Sequence, residues 1–311
     1  MRPLLLRAIA RRFVLVLTLG WVVSGIAGPV IDTVFFPYTH GWLGADAAYS
    51  IPLDQTSTVW LFGDTFTGER REPRTMIHNS VAIRHCVART CEVTYWWSGM
   101  HTGRADSFFR TPVSNYYWPL DGLVYRQKLY VVLEQMHETG KGGAFGFDYS
   151  EIVLATIPNF TEVPEHWKIS YQTISTGNLV VPGIALSLKP GPLNDTYAYI
   201  FTLFRGSSLQ PFAGLMRLPL GDLELADRSS QWHYLAKGTK WRSWQRSTSP
   251  ADALKLLDGN ITEMTVAFHP IRRQWLAVYP TPGVLSRTAS FSVAGDLLGP
   301  WTAARAFFSY P

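Results

Sequence analysis

Short apolar runs separated by turn residues recur along most of this chain. The clearest case is WPLDGLVYRQKLYVVLEQM at residues 118–136, which has two apolar runs on either side of a short turn at 126–128. Short runs rich in Val, Ile, Tyr, Phe and Trp and bounded by turn residues are typical of β-strands. The pattern therefore predicts a β-hairpin, with Asp121 at the mouth of its first strand.

The predicted strands fall into four groups of four. The groups begin at Gly44, Asp121, Gly177 and Thr262. Four short strands repeated at such spacings are typical of β-propeller blades. A β-sandwich is the alternative, but it does not predict an acidic residue on the same strand of successive groups. The sequence therefore predicts an all-β fold, a β-propeller with four recognisable four-stranded blades over residues 29–311.

Three of the groups carry an acidic residue at the entry to the first strand: Asp46, Asp121 and Glu263. First strands line the central channel of a propeller, so we expect these three side chains to converge at one mouth of it. Hydrolysis of a glycosidic bond needs a carboxylic acid and a second carboxylate, and a third acid nearby raises the pKa of the proton donor. The structural alternative is a turn role, because Asp before Gly is a common turn pair. That alternative is weaker for Glu263, since an acid beside apolar strand residues needs a partner or a cavity.

Five further residues are candidates for substrate binding. Asp64 follows Gly63 in WLFGDTF, and the pair His78-Asn79 lies in MIHNSVAI. Tyr49 and Trp118 lie close to two of the acids, and sugar rings pack their C–H faces against such aromatic rings. For the polar residues the alternative is a hydrogen bond within a turn, and for the aromatic residues it is packing inside a blade.

The N-terminal segment concentrates the positive charge of the chain and predicts a location outside the cytoplasm. It is 47% hydrophobic with 12 Trp, and its net charge is +5. Four positive charges belong to Arg2, Arg7, Arg11 and Arg12, which leaves +1 elsewhere, so we expect no nucleic-acid partner. An apolar run at 13–28 follows these arginines. Residues 1–28 are therefore predicted to be a signal peptide or an N-terminal anchor, and membrane contact is expected only through such an anchor. The protein is predicted to be secreted or extracytoplasmic, in the periplasm or on the cell surface.

The two cysteines, Cys86 and Cys91, flank a four-residue loop between two predicted strands. An oxidising compartment favours a disulfide across this hairpin, and two free thiols are the alternative. Structural zinc sites need four ligands, and the eight His residues are scattered without paired spacing. The chain also lacks phosphate-binding and dinucleotide-binding fingerprints. We therefore predict no metal and no cofactor.

Several of these segments together resemble a known family, namely GADAAYSIPL, WLFGDTF, MIHNSVAI, WPLDGLVY and TEMTVAFHP. They are similar to secreted bacterial five-bladed propeller proteins, many of them known only as a domain of unknown function. Some members are similar to endo-D-arabinanases that cut mycobacterial cell-wall arabinan. A more distant similarity is to the arabinanase, fructanase and levansucrase propellers, which use an Asp, Asp, Glu triad. The resemblance covers roughly residues 40–311.

The resemblance implies a five-bladed ring, although the chain shows no fifth group of strands. It also implies Asp46 as base or nucleophile, Asp121 as pKa modulator or second base, and Glu263 as acid. The predicted function is an extracytoplasmic glycoside hydrolase acting on a polysaccharide or oligosaccharide, such as a furanose-containing, arabinan-like glycan. The alternative is a non-catalytic propeller that binds carbohydrate or a surface partner.

Overall fold

The computed structural model describes most of the chain after the leader. The described residues are 35–69, 75–88, 90–112, 114–141, 146–176, 179–189, 197–206, 209–224, 232–243, 250–281 and 286–309. Residues Tyr38–Pro311 form one compact unit. The predicted signal peptide or anchor at 1–28 lies outside the described residues. Within them, no helix has the length and apolar character needed to cross a membrane.

The described strands form four antiparallel sheets, named blades 1 to 4 in chain order. Blade 1 contains β1 (Trp42–Pro52), β2 (Ser57–Thr67), β3 (Thr75–Ile77), β4 (Ser80–Val87) and β5 (Thr90–Trp96). Blade 2 contains β6 (Tyr116–Tyr125), β7 (Lys128–Glu138), β8 (Phe147–Ile157) and β9 (Ser170–Thr176). Blade 3 contains β10 (Val180–Ser187), β11 (Tyr197–Gly206), β12 (Leu209–Pro219), β13 (His233–Ala236), β14 (Lys240–Ser243) and β15 (Leu257–Asp258). Blade 4 contains β16 (Thr265–His269), β17 (Gln274–Pro280), β18 (Thr288–Ala294) and β19 (Arg305–Ser309).

The predicted all-β propeller with four blades is confirmed. Blades 2 and 4 are meanders of four consecutive strands. Blade 1 has the strand order β1-β2-β4-β5 with β3 paired to β2, and blade 3 continues from β10 to β14 with β15 paired to β12. Short 3₁₀ helices occur at Pro164–His166, Leu220–Glu224 and Pro250–Asp252. The innermost strands adjoin one another, β1 with β6, β6 with β10 and β10 with β16. Because residues on these strands face the axis, side chains from different blades can meet there.

Alternation along the strands builds the core between blades. Successive side chains of a strand point to opposite faces, and β7 shows the consequence. Leu129, Val131 and Leu133 pack in a cluster with blade 1, whereas Tyr130 and Val132 pack in a second cluster with blades 3 and 4. These clusters join blade 1 to blade 2, blade 2 to blade 3 and blade 3 to blade 4. Burial of their apolar area stabilises the folded state by roughly 25 cal/mol per Å². Neither of these two clusters of described residues joins blade 4 to blade 1.

The innermost strands of blades 1 to 3 share an irregularity near their middle. Their pairing registers shift between Ala45 and Ala47, between Pro119 and Gly122, and, in β10, after Pro182. Asp46 and Asp121 therefore lie within strands rather than at strand mouths, which corrects the sequence prediction. The prediction for Asp121 failed because Pro119 suggested that the strand begins after it. Pro is tolerated within a strand where a bulge interrupts the hydrogen-bond ladder, as it does here between Pro119 and Gly122.

The predicted disulfide is confirmed. Cys86 and Cys91 are directly paired across β4 and β5 and are bonded, with Cα atoms 4.1 Å apart. This separation is slightly below the usual range of about 4.4–6.8 Å. The bond ties the outer hairpin of blade 1 at its exposed end.

Replacing both cysteines with Ser should lower the free energy of unfolding by about 2 kcal/mol, because the bond closes only a short loop in the unfolded chain. Urea unfolding of the double variant and of the oxidised parent measures this difference. The reduced parent is the control and should match the double variant. Equal stability of oxidised and reduced parent would show that the bond does not stabilise the fold.

Candidate active site

A cavity of about 600 Å³ opens near the axis, and all four blades contribute to it. We call it the acid cavity. Asp46 comes from blade 1, Glu134 from blade 2, Arg205 from blade 3, and Glu263 from the segment that enters blade 4. Its volume lies within the range of about 300–1,000 Å³ that is usual for small-molecule sites.

Asp46 reaches the acid cavity because β1 is irregular at this point. The following residues, Ala47 and Ala48, have φ angles of 62° and 91°, a region that residues other than glycine rarely adopt and that clusters at functional sites. The Asp46 side chain remains accessible to solvent. Partial burial raises the pKa of Asp46 to about 6, and the charges of Asp64 and Glu263 act in the same direction. Asp46 and Glu263 are therefore electrostatic neighbours.

Gly63 of β2 lies directly beneath the Asp46 carboxylate. A Cβ atom added at Gly63 would overlap Asp46 Oδ1. The obstructing atom is the far end of a side chain, so the carboxylate can move aside while the backbone stays in place. The absence of a side chain at Gly63 therefore leaves the room that Asp46 Oδ1 occupies.

If Asp46 is a catalytic group, the substitution Gly63→Ala should lower kcat by about 10- to 100-fold, because displacement of a reacting group by about 1 Å can reduce a rate 100-fold. The thermal unfolding midpoint should change little. Gly221→Ala is the matched control, since a Cβ at Gly221 meets nothing within 4 Å. Parent-like activity in Gly63→Ala would show that the Asp46 position is not needed for turnover.

Glu263 lies two residues before β16 and lines the acid cavity. Its side chain is accessible to solvent, whereas the following Met264 is only 3% exposed. The surrounding protein removes part of the hydration of the carboxylate and raises the pKa of Glu263. A carboxyl group in this state retains its proton to higher pH than a free glutamate.

Glu134 was not predicted from the sequence, although it lines the acid cavity. It lies on β7 opposite Trp118 of β6. Burial raises the pKa of Glu134 to about 7; the nearby Arg205 opposes this rise, and the charge of Glu263 adds to it. The sequence signal was present, because an acid inside the apolar strand YVVLEQM requires a partner or a cavity.

Asp64 holds an aromatic wall of the acid cavity in place. Its Oδ1 atom accepts a hydrogen bond from Trp118 Nε1 at 2.9 Å and lies 3.1 Å from His78 Nδ1. The His78 ring stacks on Tyr116 with centroids 3.7 Å apart, and the Trp118 ring meets Phe147 edge to face at 4.7 Å. Asp64 and Trp118 line the cavity, whereas His78 is not among its lining residues.

Asn79 lies outside the acid cavity and is 0% exposed. Its Nδ2 atom donates to the carbonyl oxygens of Phe109 at 3.0 Å and Tyr117 at 2.8 Å. Its Oδ1 atom accepts from the backbone N–H of Phe109 at 2.7 Å. Asn79 therefore clamps blade 1 to the segment that leads into blade 2, and its amide is not available to a substrate in this geometry.

Asp121 is not among the acids of this cavity. It is 9% exposed, and its oxygens accept from the backbone N–H of Leu186 at 2.7 Å and of Gly122 at 2.8 Å. Leu186 belongs to β10, so this carboxylate links the innermost strands of blades 2 and 3. Burial raises the pKa of Asp121 to about 7, although both backbone hydrogen bonds act in the opposite direction.

The free energy of unfolding should decrease as the pH rises from about 4 to about 7. Between the ordinary pKa of 3.8 and the folded value of about 7, the folded Asp121 keeps a proton that the unfolded chain has lost. A difference of about three pKa units between the folded and unfolded states changes the free energy of unfolding by about 4 kcal/mol at most. Urea unfolding at pH 4.5 and 7.5 should show a smaller decrease for Asp121→Asn than for the parent. Parallel pH profiles would exclude this titration.

Tyr49 lines the acid cavity and is 7% exposed. Among the described residues, its hydroxyl finds no hydrogen-bond partner. Burial and the charges of Glu263 and Asp121 raise the pKa of Tyr49 well above its usual value, so the hydroxyl stays neutral. Within the described residues, no group of three or more His, Cys, Asp or Glu is arranged to hold a metal ion.

Comparison with solved structures finds similar chains at low sequence identity. A putative hydrolase from Bacteroides ovatus is 15% identical, with a TM-score of 0.63 over 87% of this chain and 71% of that chain. The catalytic domain of the Coprinopsis cinerea GH62 α-L-arabinofuranosidase is 10% identical, with a TM-score of 0.43 over 89% and 70%. A GH43_1 enzyme from Xanthomonas citri is 14% identical, with a TM-score of 0.46 over 86% and 75%.

Comparison of sequences assigns the chain to a family. No curated protein matches the chain. The family described as "Domain of unknown function (DUF5005)" matches residues 33–311. This range contains all four blades and every residue of the acid cavity, and the chain therefore belongs to the DUF5005 family.

Proposed function

We propose that this protein is a glycoside hydrolase that cleaves a neutral polysaccharide or oligosaccharide in the acid cavity. The observation that carries the proposal is the meeting of Asp46 and Glu263 from opposite ends of the chain in one accessible cavity. The Bacteroides ovatus protein of the same fold is described as a putative hydrolase, which agrees with this reaction class.

The two acids have different roles in the proposed mechanism. Glu263 donates its proton to the glycosidic oxygen as the bond to the anomeric carbon breaks. Asp46, with a pKa of about 6, is ionised at neutral pH. It either attacks the anomeric carbon or removes a proton from the attacking water. Desolvation raises the pKa of Glu263, so a larger fraction of this donor is protonated at a given pH than in a free glutamate.

Glu134 is proposed to support Glu263 in this role. The two carboxylates interact electrostatically, and Arg205 opposes the rise in the pKa of Glu134. Two nearby carboxylates resist joint ionisation, so the charge of either one favours the protonated form of the other. Since Asp121 is bonded to the backbone of blade 3, we assign the modulation of the donor to Glu134 instead.

The cavity lining suits a neutral glycan. Among its described lining residues, five carboxylates are opposed by the single guanidinium of Arg205, so uronic acids and sulfated sugars would be repelled. Trp118, Phe147 and Tyr149 supply aromatic faces, which pack against the C–H faces of sugar rings. A furanose-containing, arabinan-like glycan is the first substrate to test.

The test is hydrolysis of a panel of neutral and acidic glycans, with products separated by chromatography. The parent protein should release products from a neutral glycan, and the double variant Asp46→Asn with Glu263→Gln should not. Release of products by the double variant at the parent rate would overturn the proposal. Cleavage confined to acidic glycans would overturn the substrate class.

The second candidate is a non-catalytic propeller that binds carbohydrate. It is favoured by Asp121, because this member of the triad implied by the resemblance is engaged with backbone N–H groups. Under this reading the parent binds neutral glycans without cleaving any of them. Calorimetric titration with the same panel separates the two candidates.

We also propose that the protein acts outside the cytoplasm. The disulfide between Cys86 and Cys91 supports this location, since such bonds persist in oxidising compartments. Cell fractionation with thiol titration of the isolated protein provides the test. Two free thiols in a cytoplasmic fraction would contradict it.

A further inference from the structure

A second cavity of about 580 Å³ extends between blade 4 and blade 1. We call it the seam cavity. Ser50 and Trp60 of blade 1 form one wall, and Val278 and Ala289 of blade 4 form the other. Asp121 lies at its axial end, so the space runs from the axis outward between two blades.

This interface differs from the other three. Apolar clusters of described residues fill the space between blades 1 and 2, 2 and 3, and 3 and 4. Between blades 4 and 1 there is open volume instead. On β17, Leu276 and Val278 are half-exposed, whereas the alternating Trp275 and Ala277 are buried. The half-exposed face of blade 4 therefore faces a space that the described residues leave open.

The seam cavity is continuous with the acid cavity. Ala47, Tyr49, Glu263, Pro280 and Ser286 line both. Glu263 therefore stands at the junction of two spaces of similar volume. A glycan whose scissile bond lies beside Glu263 would have one part in the acid cavity and its continuation in the seam cavity.

The chemistry of the seam cavity matches a sugar chain. Ser50, Thr265 and Thr288 provide hydroxyl groups beside the ring of Trp60. The Tyr49 hydroxyl at the junction is buried and has no hydrogen-bond partner among the described residues. A buried polar group without a partner is unfavourable, and a sugar hydroxyl would satisfy it.

The charges at this place also favour a neutral ligand. Among the described residues that line the seam cavity, Asp121 and Glu263 are the ones with side chains of a charged type, and both are acids. An anionic glycan would meet no compensating cation among them.

We propose that the seam cavity binds the sugar units that continue a neutral glycan chain beyond the bond cleaved beside Glu263. This inference rests on the proposed function, but it concerns a different part of the molecule. It predicts that longer oligosaccharides gain affinity from contacts that a single sugar cannot make.

Filling the seam cavity tests the inference. In the variant Ala289→Trp, a large side chain from blade 4 enters the space, and in Ser50→Trp the same side chain enters from blade 1. KM should rise about 10- to 100-fold for neutral oligosaccharides of five or more units, where a tenfold change corresponds to about 1.4 kcal/mol. The change for an aryl monoglycoside should be at least about ten times smaller, because that substrate occupies only the acid cavity. Two variants are used so that the test survives if one fails to fold.

Ile271→Trp is the matched control. Ile271 is 89% exposed in the turn between β16 and β17 and lines neither cavity, so its replacement should leave KM unchanged for all chain lengths. An unchanged KM for long oligosaccharides in folded Ala289→Trp and Ser50→Trp would overturn the seam proposal while leaving the hydrolase proposal intact. An equal loss on the aryl monoglycoside would also overturn it.

A binding measurement decides the matter if the parent cleaves no glycan. Calorimetric titration with neutral oligosaccharides of two to eight units should then show affinity that increases with length in the parent and in Ile271→Trp. This increase should be lost in Ala289→Trp. Equal length dependence in all three proteins would overturn the seam proposal, and no binding by the parent would overturn both proposals.

Discussion

Replacement of Glu263 with Gln should reduce turnover of a natural glycan by about 10²–10⁴-fold, the usual contribution of a general acid. Gln preserves the shape of the side chain and removes the proton that the leaving oxygen needs. The loss should shrink for an aryl glycoside with a good leaving group, because that group departs without protonation. Initial rates on both substrate types, measured with the same preparation, provide the comparison.

The pH dependence gives an independent check of this role. A proton donor must be protonated to act, so the activity of the parent should decline as the pH rises through the raised pKa of Glu263. That decline should be absent from the residual activity of Glu263→Gln on the aryl glycoside. Glu165→Gln is the control, since the Glu165 side chain is 56% exposed on the surface. Parent-like turnover of natural glycan by Glu263→Gln would assign the acid elsewhere, with Glu134 as the next candidate.

The fold was predictable from the sequence because its signals are local. Each hairpin is indicated by two apolar runs and the turn between them. The stretch 118–136, for example, predicts the antiparallel pairing of β6 with β7. The disulfide was predictable for the same reason, because Cys86 and Cys91 flank one short loop. The bulges were not predictable, because the irregularity at Asp46 and at Asp121 depends on how the innermost strands pack around the axis.

The candidate site was predictable only in part. Asp46 and Glu263 could be found, because their positions before or within innermost strands place them near the axis. Glu134 was missed because it lies on a second strand, where nothing local distinguishes a cavity from a blade core, and its neighbour Arg205 belongs to the next blade. The bonds of Asp121 to Leu186 and of Asn79 to Phe109 connect segments that are distant in the sequence.

Asp46 should be as important for turnover as Glu263. Replacement with Ala removes the group that attacks the anomeric carbon or activates water, and we expect a loss of about 10²–10⁴-fold even on an aryl glycoside. The insensitivity to the leaving group separates this variant from Glu263→Gln. Asp258→Ala is the control, because the Asp258 side chain is 83% exposed and pairs only with Lys255 at the surface.

Azide should restore activity to Asp46→Ala, because the small anion can occupy the space left by the carboxylate and attack the anomeric carbon in its place. The product should be a glycosyl azide of inverted configuration, since attack comes from the face opposite the leaving group. This outcome is the same whether Asp46 is a nucleophile or a base, and the stereochemistry of the parent reaction then separates those two roles. Nuclear magnetic resonance of the products assigns both configurations. A glycosyl azide of retained configuration from Asp46→Ala would place Asp46 on the leaving-group side and exchange the roles of Asp46 and Glu263.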